Sequence, residues 1–427
     1  MSGPDSAQLA QEIFGETPLP RSAHHRDFHQ RDGALVDDVL FTFFKGPHSY
    51  TGEDSLEISC HGNPFIAQKI LEDLFARGCR PAEPGEFTKR AFLHGKMDLG
   101  QAEAVMDLIH ARSERALAAA NQQLRGSLAR KMSELVDGVV DILARVEAYI
   151  DFPEEDLPNE ENARVAQEIT RLMHETDQLL ATSHYGAILR DGIKTVIIGA
   201  PNVGKSSLLN RLVGHDRALV SPEPGTTRDF IEERITIGGH WLRMIDTAGL
   251  NHAPAPLEKL GIKKSFENAA SADLLLVVLD ATTEMPVFPP EIAANIRPHK
   301  ALGILNKIDL VDASKAAKTF LGLQLILTSA LSGAGWTELV REIGAKADSL
   351  RRSMGNDAIA INARHAHSLS AARTSLKDAS AKLASGAPTE LLASDLRAVL
   401  DAYGEISGKI DNERMLDRLF ATFCIGK

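Results

Sequence analysis

The stretch that decides the fold is Gly199-Ala200-Pro201-Asn202-Val203-Gly204-Lys205-Ser206. An apolar strand candidate, 193–199, precedes it, and a helical pattern, 207–212, follows it. A glycine-rich loop between a strand and a helix turns backbone N–H groups around a phosphate. The pattern therefore predicts a phosphate loop in which Lys205 reaches the β- and γ-phosphates and Ser206 binds Mg²⁺. Contacts to the nucleotide are expected from Asn202, Val203, Gly204, Lys205, Ser206 and Ser207.

A second motif, Asn306-Lys307-Ile308-Asp309, indicates which nucleotide base the site binds. It ends an apolar strand candidate, where parallel sheets bind ligands. The Asp309 carboxylate can accept hydrogen bonds from N1–H and the 2-amino group of guanine, which adenine does not offer, so discrimination should be strong. Ser329-Ala330-Leu331 follows the next strand candidate and is expected to supply backbone contacts to the base. Asn306 and Lys307 complete the predicted guanine site.

Two segments between these motifs are predicted to sense the γ-phosphate. Asp246-Thr247-Ala248-Gly249 ends a strand candidate; Asp246 is expected to hold Mg²⁺ through water and Gly249 to meet the phosphate. Thr227, in the upstream loop Gly225-Thr226-Thr227-Arg228-Asp229, is expected to close over Mg²⁺. Leu250 stands where Ras-like enzymes carry a water-orienting glutamine. Hydrolysis therefore requires another group to position water and another source of positive charge.

The pattern around these motifs predicts the domain organisation. Strand candidates alternate with helical segments, which indicates a mostly parallel sheet covered by helices on both faces. The strand candidates are 193–199, 241–246, 274–280, 302–306 and 325–329. We predict a Ras-like G domain at 191–347, inserted between two parts of a helical domain, 97–190 and 348–427.

Residues 1–96 differ from the rest of the chain, since they are rich in Gly and Pro and contain short apolar runs. Strands at 36–44 and 56–60 and a helix at 64–77 are expected, in a small α/β domain. Between 98 and 152 there is no proline, and apolar residues recur at helical spacing, which predicts long helices. That stripe consists of Leu124, Leu128, Met132, Leu135, Val139, Ile142 and Val146.

Composition limits the functional classes. The chain has 427 residues and a formal net charge of -11, which is not the basic footprint of a protein that holds nucleic acid by bulk electrostatics. Its three cysteines lack metal-ligand spacing. The N-terminus has no signal-peptide pattern, and no apolar run is long enough for a membrane span. We expect a cytoplasmic protein without stable membrane association.

These motifs resemble one family over nearly the whole chain. The phosphate loop 199–210, Gly-Thr-Thr-Arg-Asp at 225–229, Asp-Thr-Ala-Gly-Leu at 246–250 and the terminal Cys-Ile-Gly-Lys at 424–427 are similar to the MnmE (TrmE) tRNA-modification GTPases. Residues 46–54 and 84–93 resemble the family's N-terminal domain. The resemblance implies GTP hydrolysis that serves modification of the tRNA wobble uridine to its 5-carboxymethylaminomethyl form.

The resemblance also implies the missing catalytic groups. In this family a K⁺ ion takes the place of an arginine finger, and an asparagine of the phosphate loop holds it. By that likeness K⁺ would be bound by Asn202, Ser221, Glu223 and Thr226. The ion brings two G domains of a homodimer together. A glutamate downstream of the 246–250 motif, here Glu258, would position the attacking water through a second water, so Glu258, Lys205 and Asn202 are the implied catalytic residues.

The family's N-terminal domain binds 5-formyl- or methylene-tetrahydrofolate and dimerises. The matching folate contacts here are Glu57, Lys96 and the terminal Lys427. The flavoprotein MnmG (GidA) is the implied partner, in a heterotetramer-type complex that acts on tRNA. The family's first strand, and an arginine before Ser-Gly, have no counterpart before Met1-Ser2-Gly3-Pro4. One strand and one folate contact are therefore expected to be missing.

Two alternative functions and two alternative residue roles accompany this interpretation. One is an Era-like GTPase switch for RNA or ribosome assembly, and another is a regulatory GTPase that has lost folate-dependent modification. Cys424 could be a reactive thiol, although an inert packing role is commoner for a free cysteine. His61 beside Cys60 suggests a metal site, but one adjacent Cys-His pair is a poor one, which favours a structural or folate-pocket role.

Overall fold

The computed structural model describes residues 1–16, 18–151, 159–215, 232–246, 267–352 and 359–408. Their contacts divide them into two compact units. The first unit contains Met1–Met106, Gln123–Asp151 and 393–408, and the second contains the described residues within 107–122 and 159–392. No helix in the described ranges has the length and apolar character that crossing a membrane requires.

The helices and strands of the described residues are numbered here in chain order. The strands are β1 (Ala23–His29), β2 (Leu35–Phe44), β3 (Ser55–Ser59), β4 (Ile193–Ile198), β5 (Glu232–Ile237), β6 (His240–Asp246), β7 (Leu274–Asp280), β8 (Ala301–Asn306), β9 (Thr319–Phe320) and β10 (Leu323–Leu327). The helices are α1 (Ser6–Phe14), α2 (Pro64–Ala76), α3 (Glu86–Leu93), α4 (Leu99–His110), α5 (Glu114–Leu124), α6 (Ser127–Asp151), α7 (Asn159–Ala181), α8 (Ser183–Asp191), α9 (Lys205–His215), α10 (Pro290–Ala293), α11 (Trp336–Arg352), α12 (Ala363–Ala384) and α13 (Thr389–Ser407). Short 3₁₀ turns lie at Ile308–Leu310 and Ala313–Lys315.

The first unit contains an antiparallel sheet of order β1-β2-β3. Alternate residues of β2 are buried, and Phe41 stacks on Phe14 of α1 with ring centroids 3.8 Å apart. The backbone of Met1 exchanges hydrogen bonds with Leu56, which places the start of the chain against β3. The predicted strands and the helix at 64–77 are confirmed to within one residue, whereas α1 and β1 were not predicted. Phe28 is the one buried residue of β1, so no apolar alternation marks that strand.

An ion-pair network closes the loop before α3. Glu86 accepts from the guanidinium groups of Arg80 and Arg90, at 2.5 and 2.6 Å, and Arg90 also contacts Glu53 at 2.8 Å. The hydrogen bond from Arg80 is the largest cause that lowers the pKa of Glu86, and although burial opposes it, the pKa falls to about 2.

The second unit contains a seven-stranded sheet of order β5-β6-β4-β7-β8-β10-β9. The strand pairs from β6 to β10 are parallel, and only the pairs at the two edges are antiparallel. Every residue of β7 is buried, as expected for a strand covered on both faces. The predicted mostly parallel sheet is confirmed.

One strand boundary differs from the prediction. The segment expected at 325–329 forms β10 at Leu323–Leu327. Beyond it, Thr328 Oγ1 and the Ser329 N–H both donate to the carbonyl of Ala334, at 3.0 Å each. The Thr328 N–H still donates to the carbonyl of Leu305 on β8, at 2.9 Å, and beyond it the turn satisfies the polar groups locally. The strand therefore ends two residues earlier than its apolar pattern indicates.

Helices account for the rest of both units. In α6 the predicted stripe from Leu128 to Val146 is buried, and Leu124 at the end of α5 is half-buried. Helices α7 and α12 pack together in the second unit, with an ion pair between Asp177 and Arg373. Asn362 begins α12 with a capping box, since its side chain accepts from the His365 N–H and the His365 ring accepts from the Asn362 N–H. The domain bounds given above stay a prediction.

The ion-pair network generates a prediction about acid stability. Because the folded-state pKa of Glu86 lies below its ordinary value of 4.5, its contribution is fully present above that pH and is lost as pH falls towards 2. We expect Glu86→Gln to lower the free energy of unfolding near neutral pH by about 0.5–1 kcal/mol, the range of a partly exposed ion pair. The difference from wild type in thermal melts should shrink steadily below about pH 4. Glu83→Gln, at a nearby exposed carboxylate, is the control; a pH-independent difference for Glu86→Gln would contradict the account.

Candidate nucleotide-binding site

The phosphate loop connects β4 to α9 and is shaped by close backbone approaches. Gly204 has a φ of 95°, and Asn202 a φ of 64°, both in the left-handed region. A Cβ at Gly199 would lie 2.3 Å from the carbonyl oxygen of Val278, so only glycine fits there. Asn202 is exposed, and Lys205 begins α9. The loop thus presents a helix N-terminus, the usual backbone site for a phosphate.

Lys205 is buried against the loop that it follows. Its ammonium donates to the carbonyl oxygens of Gly199 and Ala200, at 3.0 and 2.9 Å. These contacts hold the positive charge over the loop, where it can meet phosphate oxygens. The next two residues of α9, Ser206 and Ser207, are exposed. Binding of Mg²⁺ by the Ser206 hydroxyl stays a prediction.

Asn306 connects the phosphate loop to the segment 329–331, which the sequence predicted to contact the base. Its side-chain amide donates to the carbonyl of Val203 at 2.8 Å, and its Oδ1 accepts from the Ala330 N–H at 2.9 Å. The residue is 2% exposed. A Cβ at Gly204 would lie 2.3 Å from the same amide nitrogen. The sequence predicted Asn306 as a nucleotide contact, and the structure adds that it joins three loops.

Lys307 is held by a residue that the sequence analysis did not identify. The Lys307 ammonium contacts Asp280 Oδ2 at 2.6 Å, and Asp280 Oδ1 accepts from the Thr282 N–H and hydroxyl at 2.9 and 2.7 Å. Burial disfavours the charged form of Asp280, but the hydrogen bonds from Lys307 and Thr282 outweigh it and lower its pKa. A carboxylate ending an otherwise apolar strand was the available signal.

A second residue that the sequence analysis did not identify, Arg211 of α9, supports the 329–331 loop. Its guanidinium donates to the carbonyls of Ala330 and Leu331, at 2.9 and 3.1 Å, and lies 5.3 Å from the centre of the Trp336 ring. Ser329 is buried and Leu331 is exposed. The 329–331 loop is therefore positioned from both sides, by Asn306 and by Arg211.

The carboxyl ends of adjacent parallel strands bring the predicted groups to one edge of the sheet. The phosphate loop follows β4, the Asn306–Asp309 segment follows β8, and Ser329–Leu331 follows β10. Asp309 is exposed in its 3₁₀ turn, and Asp246 ends β6 in register with Ile197 of β4. The predicted residues that lie outside the described ranges are Ser221, Glu223, Thr226, Thr227, Thr247, Ala248, Gly249 and Glu258.

Two of the predicted folate contacts, Glu57 and Lys96, belong to the first unit. Glu57 is exposed on β3, opposite Thr42 of β2. The Lys96 ammonium donates to the carbonyl of Pro47 at 2.8 Å. Lys427 and Cys424 lie outside the described residues. A folate site at Glu57 and Lys96 stays a prediction.

A phosphate loop joined through a buried asparagine to an Asn-Lys-x-Asp segment, on a mostly parallel sheet, defines a P-loop GTPase. Two family models match the chain: the MnmE helical domain over residues 99–424 and the GTP-binding protein TrmE N-terminus over residues 1–96. The chain belongs to the MnmE family.

Curated relatives agree with this assignment over full length. The tRNA modification GTPase MnmE of Opitutus terrae is 58% identical over 427 residues, which covers 100% of this chain and 94% of that protein. The protein of the same name from Akkermansia muciniphila is 43% identical over 433 residues, covering 100% of this chain and 95% of the relative.

Solved structures match a smaller part of the chain. The Era variant of Aquifex aeolicus bound to GDP and AlF₄⁻ is 30% identical and covers 36% of this chain and 56% of that chain, with a TM-score of 0.29. The G domain of the T. maritima FeoB iron transporter is 27% identical and covers 36% of this chain and 98% of that chain, with a TM-score of 0.27.

The contact between Asp280 and Lys307 generates a prediction. Asp280→Asn keeps the hydrogen bond from Thr282 but removes the charge that faces Lys307. Because the contact is present before GDP binds, its loss acts on binding through the cost of ordering Lys307, about 0.5–1.5 kcal/mol, and we expect the Kd for GDP to rise about two- to tenfold. Fluorescence titration with a labelled GDP measures it. Asp312→Asn, at an exposed carboxylate in a neighbouring turn, is the control, and equal affinities for both variants would contradict the role of Asp280.

Proposed function

We propose that this chain hydrolyses GTP in a K⁺-dependent reaction that serves tRNA wobble-uridine modification. The observation that supports the proposal most directly is the Asn306 junction, because two hydrogen bonds of this side chain join the phosphate loop to the segment proposed to contact guanine. Membership of the MnmE family supports this function over an Era-type assembly switch. Family membership also supports the proposed function over that of a regulatory GTPase without modification activity.

We assign base selection to the segments that follow β8 and β10. Asp309 is proposed to accept from the guanine N1–H and 2-amino groups. Lys307, fixed by Asp280, lines the same side of the site, and the Ala330 N–H is already committed to Asn306. The neighbouring loop from Ser329 to Leu331 is proposed to present backbone groups to the base.

Phosphate binding and hydrolysis are divided among the loop residues. Lys205 neutralises the β- and γ-phosphates, and the loop N–H groups orient them for in-line attack by water. Ser206 and Thr227 are proposed to hold Mg²⁺, with Asp246 acting through water. Asn202, Ser221, Glu223 and Thr226 are proposed to hold K⁺. When bound, the two cations supply the positive charge that stabilises the transition state.

Asn202 fits the proposed cation role by its placement. Its backbone is left-handed and its side chain is exposed at the phosphate loop, so the amide oxygen is accessible to an ion beside the phosphates. The absence of glutamine at position 250 leaves water orientation to another group, and we propose Glu258 for this role. In this proposal Asn202 binds the cation that supplies positive charge, and Glu258 orients the attacking water.

The remaining proposals concern the wider reaction. The relatives' printed name, tRNA modification GTPase, supports tRNA as the substrate. We propose a cytoplasmic homodimer that works with the flavoprotein MnmG, and a one-carbon tetrahydrofolate held by Glu57, Lys96 and Lys427. A net charge of -11 is consistent with much of the tRNA contact being made by the partner.

The decisive test is the rate of GTP hydrolysis by the purified chain in K⁺ and in Na⁺ at equal ionic strength. We expect K⁺ to accelerate hydrolysis at least about 10²-fold, since an arginine finger in this position contributes about 10³–10⁵-fold. Asn202→Ala should lose the K⁺ stimulation. Glu258→Ala should lose hydrolysis while its GTP affinity is retained.

Two variants serve as matched controls. Asn210→Ala changes an exposed asparagine of α9, and Glu267→Ala changes an exposed glutamate outside the loops. Both should keep the wild-type rate and the K⁺ response. Equal rates of GTP hydrolysis in K⁺ and in Na⁺ for the wild-type chain would contradict the proposed K⁺ mechanism.

A further inference from the structure

Two aspartates and a histidine converge at the end of the antiparallel sheet in the first unit. Asp37 and Asp38 are consecutive on β2, and His61 lies in the segment between β3 and α2. His61 Nδ1 is 2.9 Å from Asp37 Oδ1 and 3.5 Å from Asp38 Oδ1. One donor atom from each of the three residues lies within 4.8 Å of the others. Imidazole nitrogen and carboxylate oxygen are common ligands of Zn²⁺.

The second oxygen of each carboxylate is already held. Asp37 Oδ2 accepts from the backbone N–H of His61 at 2.8 Å. Asp38 Oδ2 lies 3.0 Å from Nε2 of His25, on β1. These contacts orient the remaining oxygens towards His61 Nδ1, in the way that outer hydrogen bonds orient metal ligands. His25 is therefore a positioning residue for Asp38.

The spacing suits a small divalent ion. Zn²⁺ bonds to nitrogen and oxygen of about 2.0–2.2 Å place tetrahedral ligand atoms about 3.3–3.6 Å apart. The observed separations of 2.9 and 3.5 Å need only small side-chain adjustments to reach that geometry. The Asp37 side chain is 9% exposed and that of His61 69%, so one side of the cluster is fixed and the other is open to water. Water could complete the coordination.

The charges in the cluster also suit a cation. The carboxylates of Asp37 and Asp38 both face Nδ1 of His61, at 2.9 and 3.5 Å. The cluster therefore concentrates negative charge at the position where a cation would bind.

We propose that Asp37, Asp38 and His61 form a binding site for a divalent first-row transition-metal ion, for which Zn²⁺ is the probe. The site uses residues separate from the nucleotide site. In the sequence analysis, His61 and the adjacent Cys60 alone made a poor metal site. The structure brings Asp37 and Asp38 to His61, and these two carboxylates supply the further ligands. A bound ion would connect β2 to the segment after β3 and stabilise the sheet.

The test is Zn²⁺ binding by the full chain, stripped with a chelator and kept free of nucleotide and Mg²⁺. Competition with a chromophoric chelator gives the affinity, and elemental analysis after desalting gives the bound equivalents. We expect His61→Ala and Asp38→Asn each to lose one equivalent relative to wild type. His25→Ala should still bind this equivalent of Zn²⁺, but with an affinity about tenfold weaker, as expected when a residue that orients a metal ligand is lost.

His29→Ala, which removes an exposed histidine from the end of β1, is the matched control and should bind like wild type. Melting curves in chelator establish that each variant is folded. If His61→Ala fails to fold, Asp38→Asn decides the question, because it changes a half-exposed side chain without changing its size. Equal bound zinc in wild type and Asp38→Asn would overturn the proposal.

Discussion

The nucleotide site depends on one buried amide. Asn306 connects Val203 of the phosphate loop to Ala330 of the 329–331 loop through two hydrogen bonds. Loss of this side chain would leave the buried carbonyl of Val203 and the partly buried N–H of Ala330 without this partner, and an unsatisfied buried group costs about 1–3 kcal/mol. Since Gly204 lies against the same amide, the loop conformation and the asparagine require each other.

The groups around this junction show how the site is supported without direct substrate contacts. Asp280 holds Lys307 from one side, and Arg211 holds the carbonyls of Ala330 and Leu331 from the other. Each support comes from a different strand or helix of the second unit. Such preorganisation restricts loop motion before a ligand arrives, which lowers the ordering cost of binding.

Sequence reasoning was accurate where signals are local. The phosphate loop lies between a strand and a helix as predicted, and β7 matches its predicted bounds, because consecutive residues determine both. It failed for β1, whose seven residues bury only Phe28, so that no apolar alternation marks the strand. It also missed Asp280 and Arg211, because their partners are distant in sequence and are brought near only by the parallel sheet.

The central claim, that the edge of the sheet selects guanine, is tested most directly by equilibrium binding of GDP, XDP and ADP to the wild-type chain and to Asp309→Asn. An asparagine amide can donate to the 2-oxo group of xanthine but cannot accept twice from guanine. We predict that wild type binds GDP far more tightly than ADP, and that Asp309→Asn weakens GDP at least about tenfold while strengthening XDP. Comparable affinity of the wild-type chain for ADP and GDP would contradict the account.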